Sequence, residues 1–279
     1  MMERSQGRNV TKFVKANGIR ISYEERGNGE PLILLMGLGA PGAKWEPHVK
    51  AYEKYFKCIM IDNRGAGQSD KPAAESYTIE EMANDTLGLM DALGIQSAFF
   101  NGISMGGAIA EYIAIYHPER VRALVLTSTF PCMNVTMRRA ITILRDCCGI
   151  LPGDMFGKLG QWMIYGFDFQ NINERQMLID EENDAKYPYP MPAYAYKAQC
   201  NAILQHDVMK DLAKIKAPTL VAHGDEDHLA PFYLAMKTYE CISDSELYVK
   251  HGGGHVQHFE DPENYNAASL DFLRRHDRM

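Results

Sequence analysis

The chain reads as an α/β protein: a mostly parallel central sheet, helices on both faces, and a helical insertion. Three observations carry this. Between residues 31 and 128, short unbroken apolar runs alternate with helical stretches, the pattern of strand–helix–strand crossovers. The apolar runs lack the polar alternation of a half-exposed strand, so they suit strands buried on both faces. After a break over residues 131–213, which hold no convincing strand, the same pattern resumes.

The elements follow in order. Residues 11–16 and 19–25 flank Asn17-Gly18, the dipeptide that best accepts the positive φ values of a type I′ hairpin turn. The runs 31–36 and 58–61 are the first buried strands, with a helical stretch over 46–55 between them. Thr78 and Glu81 make a capping-box start for a helix ending near Gly94. Strand 98–103, helix 105–116 and strand 121–127 come next. That helix stops at His117 because Pro118 disfavours the α conformation at the residue before it. Strands are expected again at 218–224 and 246–250, and the last helix starts with Asp261 as N-cap and Pro262 at the first helical position. The block 131–213 holds seven of the sixteen methionines and a Tyr/Pro-rich piece, KYPYPMPAYAY (186–196). It is expected to be a helical cap, or lid, on a core made of residues 1–130 and 214–279.

The 279 residues are 46% apolar, enough for a sizeable core, and no internal repeat is visible. The net charge of −7, with no Lys/Arg cluster beyond the pair Arg138-Arg139, argues against a nucleic-acid partner. Six cysteines, at 58, 132, 147, 148, 200 and 241, form no CxxC pair and fit neither a zinc site nor a disulfide framework. Unpaired thiols point to a reducing compartment. The N-terminal MMERSQGRNV is too polar for a signal peptide, and no apolar run approaches bilayer length. A cytoplasmic protein with no membrane partner, monomeric or a small homo-oligomer, is expected.

The stretch NGISMGGAIA (101–110) sets Ser104 among small residues, between a strand and a buried helix. A chain turning sharply from strand to helix takes unusual backbone angles, and bulk two residues before or after would clash. Gly102 and Gly106 meet that need. The turn lifts the serine oxygen over the C-terminal edge of the sheet, beside a helix N-terminus that favours developing negative charge. An inert packing turn is the plain alternative. A dinucleotide fold is another, since Gly102, Ser104 and Gly107 have G-x-G-x-x-G spacing. That fold wants an acid at the end of the next strand, and Leu126-Thr127-Ser128-Thr129 has none.

A serine hydroxyl becomes a good nucleophile when a histidine takes its proton and a carboxylate orients the histidine. Strand 218–224 runs into His223-Gly-Asp-Glu-Asp-His228, with Asp225 and Asp227 both on the following loop. The next strand ends in His251-Gly-Gly-Gly-His255, whose glycines give His255 freedom to reach back over the edge. The order serine, acid, histidine, after successive strands, is that of the nucleophile-elbow fold. A metal reading also exists. His223, Asp225, Asp227 and His228 approach a metallo-hydrolase ligand box, with His251, His255 and His258 nearby. The box lacks its second histidine and leaves the glycine-flanked serine unexplained.

With these residues placed, the chain resembles the α/β-hydrolase family over nearly everything outside the insertion. GISMGG (102–107) is similar to the family's elbow, and Asp62 to Ser69 to its structural D-x-R-G-x-G-x-S loop. GDEDHLAP (224–231) resembles the G-x-x-D-x-x-x-P acid loop, which implies Asp227 over Asp225. GHVQHFEDP (254–262) resembles the G-H-x-x-x-x-E-x-P segment, which implies His255 over His251 and His258. Residues 34–39 match the family's His-Gly oxyanion segment, with Met36 in place of the usual histidine. The implied oxyanion donors are the backbone N–H groups of Leu38 and Met105. Residues 102–129 read most like enol-lactonases. Meta-cleavage C–C hydrolases often carry a tryptophan soon after the catalytic histidine, where this chain has Val256-Gln257.

The resemblance implies a serine hydrolase of a small, largely apolar carboxylic ester or lactone: Ser104 as nucleophile, His255 as base, Asp227 orienting it, and neither cofactor nor metal. Hydrolysis of C–C bonds and a non-catalytic small-molecule receptor on the same fold are the alternatives. The pocket is expected within the insertion, where Met133, Met137, Met155, Met163, Tyr165 and Tyr187 suit an adaptable apolar cavity, although more than half of them are expected to be cap core.

Overall fold

The computed structural model describes residues 10–277. The N-terminal stretch read above for a leader lies almost wholly outside them. The chain opens with β1 (Lys12–Ala16) and β2 (Ile19–Arg26), an antiparallel hairpin turning at Asn17 (φ 45°) and Gly18 (φ 81°), as a type I′ turn requires. Then follow β3 (Glu30–Leu35), α1 (Glu46–Tyr52), β4 (Phe56–Ile61), α2 (Ile79–Ala92), β5 (Ala98–Ile103), α3 (Met105–Tyr116) and β6 (Val121–Thr127). Helix α2 starts at the expected capping box: Thr78 Oγ1 accepts from Glu81 N–H, and the Glu81 carboxylate accepts from Thr78 N–H. Five helices come next: α4 (Val135–Cys147), α5 (Gly153–Ile164), α6 (Phe167–Ile172), α7 (Glu174–Ala185) and α8 (Ala193–Gln205). Strands β7 (Thr219–Gly224) and β8 (Ser245–Lys250) resume the sheet, with α9 (Phe232–Cys241) between them. The chain ends in the short α10 (Gln257–Glu260) and α11 (Pro262–His276), the latter capped by Asp261 as expected. Helix α9 was missing from the sequence reading. It is only ten residues long, too short for its helical period to stand out.

The sheet has eight strands in the order β1-β2-β4-β3-β5-β6-β7-β8, antiparallel at the hairpin end and parallel from β4 onward. Strand β3 shows why its apolar run is unbroken. Ile33 and Leu35 enter the core under α2 and α3, while Leu32 and Leu34 enter the one under α1 and α11. Both faces are covered, so neither set of alternate residues meets water.

Because these strands run parallel, the loops leaving their C-terminal ends all lie on one edge of the sheet. Ser104 after β5, the loop after β7 and the loop after β8 therefore lie on the same edge. The insertion contacts that edge too. Ile164 O accepts from Val256 N–H at 3.1 Å, and the Tyr165–Gly166 backbone packs on Gly254. The loop after β4 is held from within: Asp62 accepts from Gly42 and Gln68 N–H groups at 2.7 and 2.8 Å, and Arg64 pairs with buried Asp85.

Candidate active site

Ser104 has φ 53° and ψ −117°, a conformation that a residue with a Cβ rarely adopts. The glycines explain how the turn closes. A Cβ on Gly102 would stand 2.4 Å from Gly106 O, and one on Gly106 would stand 2.2 Å from Leu35 O. The strained peptide is pinned by Ser104 N–H to Thr127 O at 2.9 Å and by Thr129 Oγ1 to Ser104 O at 3.1 Å. Strain of this kind costs on the order of 1–3 kcal/mol and is held only where the surroundings over-determine it.

Asp227 is fully enclosed. Its Oδ1 accepts from the Leu229 and Ala230 N–H groups at 2.8 and 2.7 Å. Its Oδ2 lies 2.8 Å from His255 Nδ1 and 3.2 Å from His223 Nε2. Burial pushes this carboxyl up, but the facing imidazoles and their hydrogen bonds outweigh it, so the group sits below the ordinary carboxylate range. His255 is only 5% exposed. Its loop is held by Glu260, whose Oε1 accepts from Gly254 N–H at 3.1 Å and from Gly166 N–H of the insertion at 2.8 Å. The structure thus brings Asp227 and His255 together. Among the described residues Ser104 Oγ has no hydrogen-bond partner; unliganded sites are often loose at this contact.

The other candidates separate cleanly. Asp225 pairs with His251 Nδ1 at 2.7 Å, but that imidazole is 89% exposed. His258 is buried against His48, Phe259 and Tyr265, and burial first, then the neighbouring His48 and His255, drives its pKa well down. His228 faces outward beside Phe167. No three His, Cys, Asp or Glu side chains converge on a metal-sized space among the described residues. In the insertion, Met137, Met163 and Tyr165 are buried and Met133 packs against the core, whereas Met155 is 53% exposed.

The segment after β3 lies directly against the elbow: a Cβ on Gly37 would be 3.2 Å from Ser104 Cβ. The Leu38 and Met105 N–H groups donate to no other described residue, which leaves two free donors on this edge. With Met36 in the place of a histidine, the loop is held by other groups. Asn63 Nδ2 donates to Met36 O at 2.9 Å, and Gln199 Oε1, from α8, accepts from Gly39 N–H at 2.9 Å. The sequence assigns no part to Asn63 or Gln199, offers His223 only as a possible metal ligand, and offers Glu260 only as the glutamate of the G-H-x-x-x-x-E-x-P segment. For His223 the spacing of four from Asp227 was the available signal; for Gln199 there was none, because its partner is 160 residues away.

Comparison with known proteins agrees with this architecture. A family model described as "alpha/beta hydrolase fold" matches residues 30–144. The "Putative carbamate hydrolase RutD" of Variovorax paradoxus is 29% identical over 265 residues, covering 91% of this chain and 96% of that protein. The enol-lactonase from Burkholderia xenovorans superposes with a TM-score of 0.83 at 24% identity, over 94% of this chain and all of that one. The meta-cleavage product hydrolase from Pseudomonas fluorescens gives 0.78 at 25% identity, over 95% and 97% of the two chains. The eight-stranded sheet order and these matches together give the chain the α/β-hydrolase fold.

Proposed function

We propose that this chain is a serine hydrolase that cleaves a small, largely apolar carboxylic ester or lactone through an acyl-enzyme. The observation that carries the reading is the enclosed Asp227–His255 pair on the same sheet edge as a strained, glycine-flanked Ser104. Ser104 Oγ attacks the carbonyl carbon while His255 Nε2 takes its proton. Asp227 keeps the other imidazole proton on Nδ1 and stabilises the imidazolium. The Leu38 and Met105 N–H groups receive the negative charge that develops on the carbonyl oxygen. His255 then protonates the leaving oxygen, and in the second half-reaction it activates water to release the acid. Residues 131–213 act as a lid over this edge, and the enzyme works in the cytoplasm, a placement supported by its six unpaired thiols.

The relatives named for carbamate hydrolysis favour a second substrate class, because a carbamate carbonyl can be attacked by the same three groups. Initial rates on p-nitrophenyl acetate and butyrate, a few lactones and a p-nitrophenyl carbamate separate the classes. Ser104→Ala is expected to abolish turnover, and a fluorophosphonate probe to label Ser104 alone. Activity that survives Ser104→Ala but is lost to EDTA would replace this reading with a metal-dependent one; no turnover on any of them, with no labelling, would favour a receptor.

A further inference from the structure

We propose that Gln199 is a positioning residue that sets the oxyanion loop from the insertion side, an assignment that rests on the serine-hydrolase reading above. Residues 37–40 form a tight turn closed by Ala40 N–H to Gly37 O at 3.3 Å. Gly39, the third residue of that turn, has φ +73°, as in a type II turn. Type I and type II turns differ by a flip of the central peptide, here Leu38–Gly39. Gln199 Oε1 accepts the N–H of that peptide at 2.9 Å, while its Nε2 donates to Arg64 O at 2.8 Å. The carboxamide is fixed at both ends and the side chain is fully buried. Losing the acceptor removes the one side-chain partner that fixes the direction of this N–H. Only one orientation of the central peptide satisfies Gln199.

The rest of the turn is held from the opposite side. Asn63 anchors Met36 O, and Gly37 lies against Ser104. Leu38, between the two anchors, carries the N–H that would face the oxyanion. The ring of Tyr196, one turn before Gln199 on α8, sits so close to Gly39 that an added Cβ would meet it at 2.9 Å. The hole is therefore complete only with α8 docked, which ties the insertion to transition-state stabilisation as well as to substrate shape.

The test compares Gln199→Met, which removes the acceptor at similar volume, and Gln199→Asn, which keeps the amide but shortens its reach. In each, kcat on a p-nitrophenyl ester is expected to fall on the order of tenfold to a hundredfold with little change in KM, because the Met105 donor remains. Affinity for a trifluoromethyl ketone, whose adduct with Ser104 places an oxyanion in the hole, should fall in parallel with kcat/KM. Gln205→Ala is the control: it removes a different hydrogen bond from the same helix to the core, Gln205 Nε2 to Ser76 Oγ at 2.9 Å, and should leave kcat unchanged. If either folded Gln199 variant keeps wild-type kcat and ketone affinity, the assignment is overturned while Ser104-dependent turnover stands. If wild-type turnover instead survives Ser104→Ala, the parent reading falls and this one with it.

Discussion

Replacing Asp227 by asparagine isolates the carboxylate, because the two side chains are nearly isosteric. The Leu229 and Ala230 N–H groups, at 2.8 and 2.7 Å, decide how the new amide sits. Its carbonyl oxygen must stay against these two donors, so its NH2 group turns toward His255 and His223. That NH2 can only donate to His255 Nδ1. The imidazole proton is then forced onto Nε2, where the ring can no longer accept a proton from Ser104. Meanwhile the NH2 group meets His223 Nε2, which lies 2.8 Å from Ala230 O and donates to it. A tautomer error of this kind costs about 10⁴-fold in kcat, or about 5 kcal/mol of barrier. Asp225→Asn is the matched comparison. Asp225 has its own histidine at 2.7 Å, but that side chain is 89% exposed and water can replace it, so a change under about threefold is expected. Both values come from initial rates on one p-nitrophenyl ester, with circular dichroism confirming the fold. A loss under tenfold for Asp227→Asn, or a larger loss for Asp225→Asn, would refute the assignment of the acid.

Three further outcomes are expected. Ser104→Gly should be inactive like Ser104→Ala but more stable than it by about 1 kcal/mol, since glycine accepts φ 53° without strain; equal urea midpoints for the two variants would argue against strain at the elbow. Asp85→Ala leaves the buried Arg64 guanidinium with Glu81 alone and should cost about 3 kcal/mol in urea unfolding; a cost below 1 kcal/mol, in the range of an exposed pair, would show that Arg64 is better solvated than its burial indicates. Burial lowers His48 to about 4 from an ordinary 6.5, so below pH 6.5 the unfolded chain binds a proton that the folded chain does not. Stability should therefore fall as pH drops from 6.5 to about 4, by up to roughly 3 kcal/mol from this group. Unfolding at pH 7 and pH 4.5 should show a smaller difference in His48→Phe than in the wild type, and an unchanged difference would remove His48 as the cause.

What the sequence determined by itself is what neighbours along the chain decide. The Asn17-Gly18 turn, the Thr78–Glu81 box, the stop before Pro118 and the Asp261 cap each depend on groups within four residues of one another, and the structure has all of them. Gly102 belongs here as well, because its clash is with Gly106 across the turn, whereas the clash at Gly106 is with Leu35 on β3 and follows from the sheet. The buried strands were legible because two covered faces leave a continuous apolar run. Helix α9 was not, since its ten residues give too short a period to stand out. Only the tertiary structure separates chemically equal side chains by their surroundings. Asp225 and Asp227 are two residues apart and each has a histidine partner; the difference is that one pair is enclosed and the other lies in water. Motif resemblance had pointed to Asp227, but nothing in local spacing could. The support of the loop after β3 was equally out of reach, because Gln199 meets Gly39 only when a helix from the insertion lands on the sheet edge. Hydrogen bonds that close across such distances follow from packing, and packing depends on the whole chain at once.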